Sequence, residues 1–181
     1  MPESVFYLHE DEWGMVTLLP TENRTWALDT AREAREFGEA HFVGVGWTDI
    51  YVIPTEVLPL SGRRMLFAKL QILLGNRLPL ASKVQSGYSS YREDLPGCFA
   101  FGEAYSGTGA FYGSQDDGAL TSLHLILPDR GNREITALFA DCLFALGVEY
   151  DLILADWWSH QVLDLSDKAA VLRYLQSRSS E

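Results

Sequence analysis

Apolar positions recur along this chain with two periods. Residues 132–146, NREITALFADCLFAL, set Ile135, Leu138, Phe139, Cys142 and Leu146 on one stripe at helical spacing, and Gly147 follows as a natural residue for ending the helix. A second helix is expected over Trp26–Ala40, where Ala27, Ala31, Ala34 and Phe37 repeat. Its Arg32/Glu36 and Arg35/Glu39 pairs stand four apart on the wet face. A third starts after Ser166, the expected cap, and turns Val171, Leu172 and Leu175 inward.

Elsewhere the period is two. CFAFGEAYS, GAFYGS and ALTSLHLIL, between Gly97 and Leu127, read as a β-meander. Gly107-Thr108-Gly109 and Asp116-Asp117-Gly118 supply its turn chemistry. SVFYL and GMVTLL, at 4–8 and 14–19, suggest a hairpin joined by HEDEWG, residues 9–14. YDLILADW and QVLDL suggest a pair of strands near the C-terminus, so 4–40 and 150–178 faintly echo each other. HFVGVGW and DIYVIP, at 41–47 and 49–54, are rich in β-formers. RRMLFAKLQILL, residues 63–74, fits both periods, and the Gly75-Asn76 stop favours a helix. Residues 76–97, with Pro79, Pro96 and SGYSSYRED, read as loop. Interleaved helices around a run of hairpins predict an α+β domain with a mainly antiparallel or mixed sheet and three to four helices packed on it.

Composition narrows the picture. A chain of 181 residues with 47% hydrophobic content fits one globular domain over residues 1–181. No apolar run reaches the ~20 residues of a membrane span. The start, MPESVFYLHEDE, lacks the basic and apolar regions of a secretory signal, so a cytoplasmic location is expected, with Cys98 and Cys142 as thiols. No C-x-x-C occurs.

The net charge is −11. Residues 1–60 hold 11 acidic and 3 basic groups, and residues 101–181 hold 12 and 5. Residues 61–100 reverse the balance, with 6 basic and 2 acidic groups, which can pair with the acidic remainder. Such a balance argues against nucleic acid and fits a basic partner.

Catalytic motifs are sparse. No G-x-S-x-G elbow is present, and GVGWTD and GTGAFYG lack the spacing or context of a phosphate loop. In an extended HEDEWG, His9 and Asp11 share one face while Glu10 and Glu12 share the other, too few ligands for a metal. His41, His124 and His160 stand at no ligand spacing, and His124 in ALTSLHLIL is expected on a strand face with a hydrogen-bond partner. No cofactor is implied. What does recur is tryptophan beside acid: Glu10, Asp11, Glu12 and Trp13 in one loop, and Asp156, Trp157 and Trp158 in another, with Asp116 and Asp117 forming a further acidic turn. Aromatic anchors ringed by carboxylates suit a protein interface.

LHEDEWGMVTLLP followed by a helix, in a small acidic chain, resembles bacterial immunity proteins of toxin–immunity systems. That resemblance implies a cytoplasmic antitoxin that occludes the active site of a cognate toxin with a basic surface. Glu10, Asp11, Glu12, Asp116, Asp117 and Asp156 would then meet Lys or Arg groups, and Trp13, Trp157 and Trp158 would anchor. The basic stretch at 61–100 departs from a uniformly acidic plug. Two alternatives stand beside this one. The first is a small hydrolase using scattered carboxylates with His9 and His160. The second is a regulatory domain that senses a ligand through an aromatic pocket.

Overall fold

The computed structural model describes residues 4–9, 12–88, 91–103, 107–129 and 132–177. In chain order the elements are β1 (Val5–Leu8), β2 (Val16–Pro20), α1 (Arg24–His41), α2 (Phe67–Leu74), β3 (Lys83–Tyr88), β4 (Tyr91–Asp94), β5 (Cys98–Glu103), β6 (Gly109–Asp116), β7 (Ala119–Ile126), α3 (Arg133–Tyr150), β8 (Leu152–Asp156), β9 (Gln161–Asp164) and α4 (Lys168–Ser177). The fold is α+β.

The expected meander forms the first half of a six-stranded sheet ordered β5-β6-β7-β2-β8-β9, antiparallel throughout. Alternation along these strands sorts side chains onto two faces. On one face Leu18, Phe99, Phe101, Phe111, Leu123 and Leu154 pack under α3 and α4, against Phe139, Leu143, Leu146 and Val171. Cys142 is buried there, as its place on the apolar stripe implied.

The other face is covered twice, by different elements. At one end α1 sets Ala27 and Ala31 on Leu19, Ile153, Ala155 and Trp157. At the other end a small sheet, ordered β1-β3-β4, sets Phe6, Leu8 and Val84 on Ala100, Ala110 and Tyr112. The central strands β2 and β7 run between these two covers.

Several local expectations are corrected. β1 and β2 are not a hairpin: β1 pairs parallel with β3 while β2 enters the large sheet. Only the C-terminal member of the echoed pair, β8–β9, is one. Residues 76–97 hold β3 and β4, although the exposed pattern of β4 hides a strand signal. Gly147 does not end α3. Leu165 packs so tightly over it that no Cβ fits, and the helix continues to Asp151, whose left-handed φ of 54° closes it. The last helix is capped by Asp167, which accepts from Ala170 N at 2.9 Å, while Ser166 turns back onto Asp164. Residues 63–74 become helical from Phe67, as the stop signal indicated.

The largest departure is residues 42–57. Despite their β-rich composition they form no strand. They make one isolated bridge, Phe42 to Trp47, and otherwise run as an arm along the outer side of α1. Phe37 of α1 stacks on His41 and meets Tyr51, whose hydroxyl donates to Glu33 at 3.2 Å. The returning end of the arm is clamped by Asn23. Its fully buried side-chain amide donates to Leu58 O at 2.7 Å and accepts from Leu58 N at 2.9 Å.

Candidate functional site

The gap between the two covers is a cleft of about 430 Å³. Its floor is β2 and β7, represented by Thr17, Ser122 and His124. Trp13 stands at one wall, Trp26 and Trp157 at the other, and Ile53–Glu56 of the arm closes the rim. Among the described residues no Lys or Arg lines it, and Glu56 is the single carboxylate in the lining. Volume and aromatic lining are those of small-ligand and side-chain pockets.

Strand pairing builds the floor. Thr17 and Tyr112 both lie opposite His124, one on each neighbouring strand. The Thr17 hydroxyl donates to Gly14 O at 2.7 Å, so the contact of 3.1 Å between Thr17 Oγ1 and His124 Nδ1 is donated by the imidazole. The ring therefore carries its proton on Nδ1, and Nε2 keeps a lone pair with no hydrogen-bond partner among the described residues. Burial lowers the His124 pKa to about 4, so the ring is neutral at neutral pH. His124 does lie on a strand face with a hydrogen-bond partner.

Tyr112 holds the acidic loop. Its hydroxyl donates to Glu12 O at 2.7 Å and accepts from Gly14 N at 3.0 Å. Burial pushes this phenol up to about 12, which keeps the donor proton in place. Trp13 meets Tyr112 edge-on, with ring centroids 5.6 Å apart, and tilts over His124 at 5.8 Å. Gly14 takes φ +74°, which lets the chain turn sharply between Trp13 and β2.

The site residues expected from sequence divide into groups. Glu10 and Asp11 lie outside the described residues. Trp13 is 39% exposed and Trp158 is 71% exposed, and both present apolar surface. Glu12 and Trp158 line a shared shallow depression with Met15 and Leu127, because Trp157 N bonds Met15 O at 3.0 Å. The first and last acidic aromatic loops thus meet. Asp116 and Asp117 are exposed but sit at the β6–β7 turn, where Asp116 pairs with Ala119, itself five residues and roughly 17 Å along β7 from His124.

Asp156 offers no partner surface, and Trp157 is buried apart from its place in the cleft wall. Asp156 is fully buried, and its carboxylate accepts from Tyr174 Oη at 2.7 Å, from Ser159 Oγ, and from the backbone of Trp158 and Ser159. It organises the turn that exposes Trp158. Trp157 is buried against Trp26 with ring centroids 5.8 Å apart.

The exposed arm went unrecognised in the sequence. Val45, Ile50 and Val52 are 98%, 83% and 80% exposed, and Phe42, Trp47 and Val57 are also more open than closed. Scattered exposed apolar side chains are ordinary, whereas a continuous run of them marks an interaction surface. Around the arm, Glu36, Glu39, Asp49 and Glu56 have no cationic partner among the described residues. By contrast, much of the basic stretch is engaged: Arg63 with Glu22 and Asp151, Lys69 with Glu149, Lys83 with Asp94, and Arg92 over the Tyr7 ring.

Compared with family models, curated proteins and solved structures, the chain finds no match. Function therefore rests on the geometry of this chain alone. Among the described residues no three His, Cys, Asp or Glu side chains converge as metal ligands, and no helix is long and apolar enough to cross a membrane.

Proposed function

We propose that this chain is an immunity-type binding protein that occludes a cognate toxin with a basic surface. The observation that carries the reading is the exposed arm. Apolar side chains from Phe42 to Val57 form an uncovered surface, and Glu36, Glu39, Asp49 and Glu56 around it have no cationic partner among the described residues. Interfaces commonly combine an apolar centre with a polar rim, and unpaired charge of one sign selects a partner of the other. The arm meets Trp13 at the cleft, and Glu12 continues the band to Trp158. This band replaces a plug made of acids alone: apolar contact supplies the affinity, and the carboxylates orient the approach.

The test is growth rescue. The product of the gene adjacent to this one is expressed alone and together with this chain. Toxicity that co-expression relieves supports the reading, and the variant V45D/I50D/V52D should lose rescue while keeping its melting temperature. A harmless neighbour product that shows no binding to the purified chain overturns it, as does full rescue by the arm variant.

A further inference from the structure

We propose that the cleft between Trp13 and Trp26 is a guanidinium slot that receives an arginine side chain of the bound partner. The inference rests on the partner-binding reading and names the chemistry the partner must bring.

Hydrogen-bond capacity decides the class of occupant. Thr17 has given its hydrogen to Gly14 O, and His124 has given its Nδ1 hydrogen to Thr17. What this innermost pair has left is lone pairs, including His124 Nε2. His124 is more than nine-tenths buried and is part of the cleft lining, and its Nε2 makes no hydrogen bond among the described residues, so an acceptor is left for a ligand in the cleft to satisfy. At the rim Glu56 adds a carboxylate that makes no hydrogen bond or ion pair among the described residues. With no Lys or Arg among the described lining residues, an anionic occupant would meet no cation there to neutralise it. The fitting group is rich in donors, carries positive charge and has no acceptor of its own.

Shape selects guanidinium over ammonium. The walls are indoles, and a flat delocalised cation stacks on an indole face while directing its N–H groups sideways. An ammonium ion is more strongly hydrated and presents no flat face. The cleft volume of about 430 Å³ also leaves room for the aliphatic stem and part of its backbone. The slot opens where the arm and the Trp13 loop meet, so a partner seated on the arm can reach it with one long side chain.

The experiment follows the indole N–H resonances of the full chain by NMR during titration with N-acetyl-arginine amide, with N-acetyl-lysine amide as control at equal ionic strength. Arginine amide should shift the Trp13 and Trp26 signals saturably in the millimolar range, and lysine amide should bind at least roughly fivefold more weakly. Glu56→Gln, at the half-exposed rim, should weaken the arginine response by about fivefold or more with no change in fold. His124→Phe keeps an aromatic floor but removes Nε2, and should also weaken it. Absence of a saturable shift, equal binding of lysine amide, or an unchanged Glu56→Gln variant overturns the slot. Micromolar binding of the free amide would make a small guanidinium compound the occupant and overturn the partner-arginine assignment. Failure here with successful growth rescue removes the slot and leaves the arm reading intact. Failed rescue with arginine binding removes the partner and keeps the guanidinium site.

Discussion

His124 Nδ1 lies 3.1 Å from Thr17 Oγ1, and the Thr17 hydrogen is directed to the Gly14 carbonyl at 2.7 Å. One short chain of hydrogen bonds therefore joins β7 to β2 and to the turn that carries Trp13. It holds a neutral imidazole in a place where a charged one would be poorly solvated.

That arrangement makes stability depend on pH. Burial lowers the His124 pKa from 6.5 to about 4. Between those values the unfolded chain binds a proton that the folded chain refuses, so stability is fully present above about pH 6.5 and falls as pH drops toward 4. At ~1.4 kcal/mol per unit the loss is on the order of 3 kcal/mol. Asp164, held low by its bonds to Ser166 and then Arg24, and Asp141, held low by Lys168, lose their contributions as pH falls through and below the ordinary carboxylate range. Urea denaturation at several pH values should show the slope, and His124→Leu should flatten it whatever its own cost. A wild-type slope in the Leu variant would refute the assignment.

Asn23 should prove to be the hinge pin of the arm. Its amide makes two hydrogen bonds with the Leu58 backbone in a fully buried setting. Asn23→Ala leaves both Leu58 groups without those partners and should cost about 2 kcal/mol. Limited proteolysis should then cut within 42–57 faster than in the parent protein. Equal cleavage rates would show that the arm is held by other contacts.

Asp156 should behave as a structural residue. Asp156→Ala removes the acceptor for Tyr174, Ser159 and two backbone N–H groups and should destabilise the fold by at least about 2 kcal/mol. Tyr174→Phe should cost about 1 kcal/mol, and the double variant less than the sum, because both act on one bond. An Asp156→Ala protein with unchanged thermal unfolding would return this residue to the surface role expected from sequence.

Gly147 should tolerate no side chain. A Cβ there would run into Leu165, including its carbonyl carbon at 2.6 Å. Gly147→Ala should lose roughly 2–3 kcal/mol even though alanine is the better helix former. Thermal unfolding of the single variant checks this, and a stabilised protein would contradict the packing.

The sequence by itself determined the α+β class, the meander, α1, α3 and the C-terminal hairpin, because each is written in local apolar periodicity or turn chemistry. It also marked Trp13 and Trp158 as interface candidates through the acids beside them. What it could not determine depends on contacts distant in the chain. Parallel pairing of β1 with β3, some 80 residues apart in sequence, removed the expected first hairpin. Whether a β-rich stretch becomes a strand depends on its tertiary partners; HFVGVGWTDIYVIP makes only the Phe42–Trp47 bridge and stays an exposed arm. The same residue types next to one another in DWW took opposite fates, Asp156 and Trp157 inside and Trp158 out, since a strand end and a turn point successive side chains in different directions. The cleft itself is the space left between two covers on one sheet face. Thr17, Tyr112 and His124 come from three strands, and only sheet register puts them side by side.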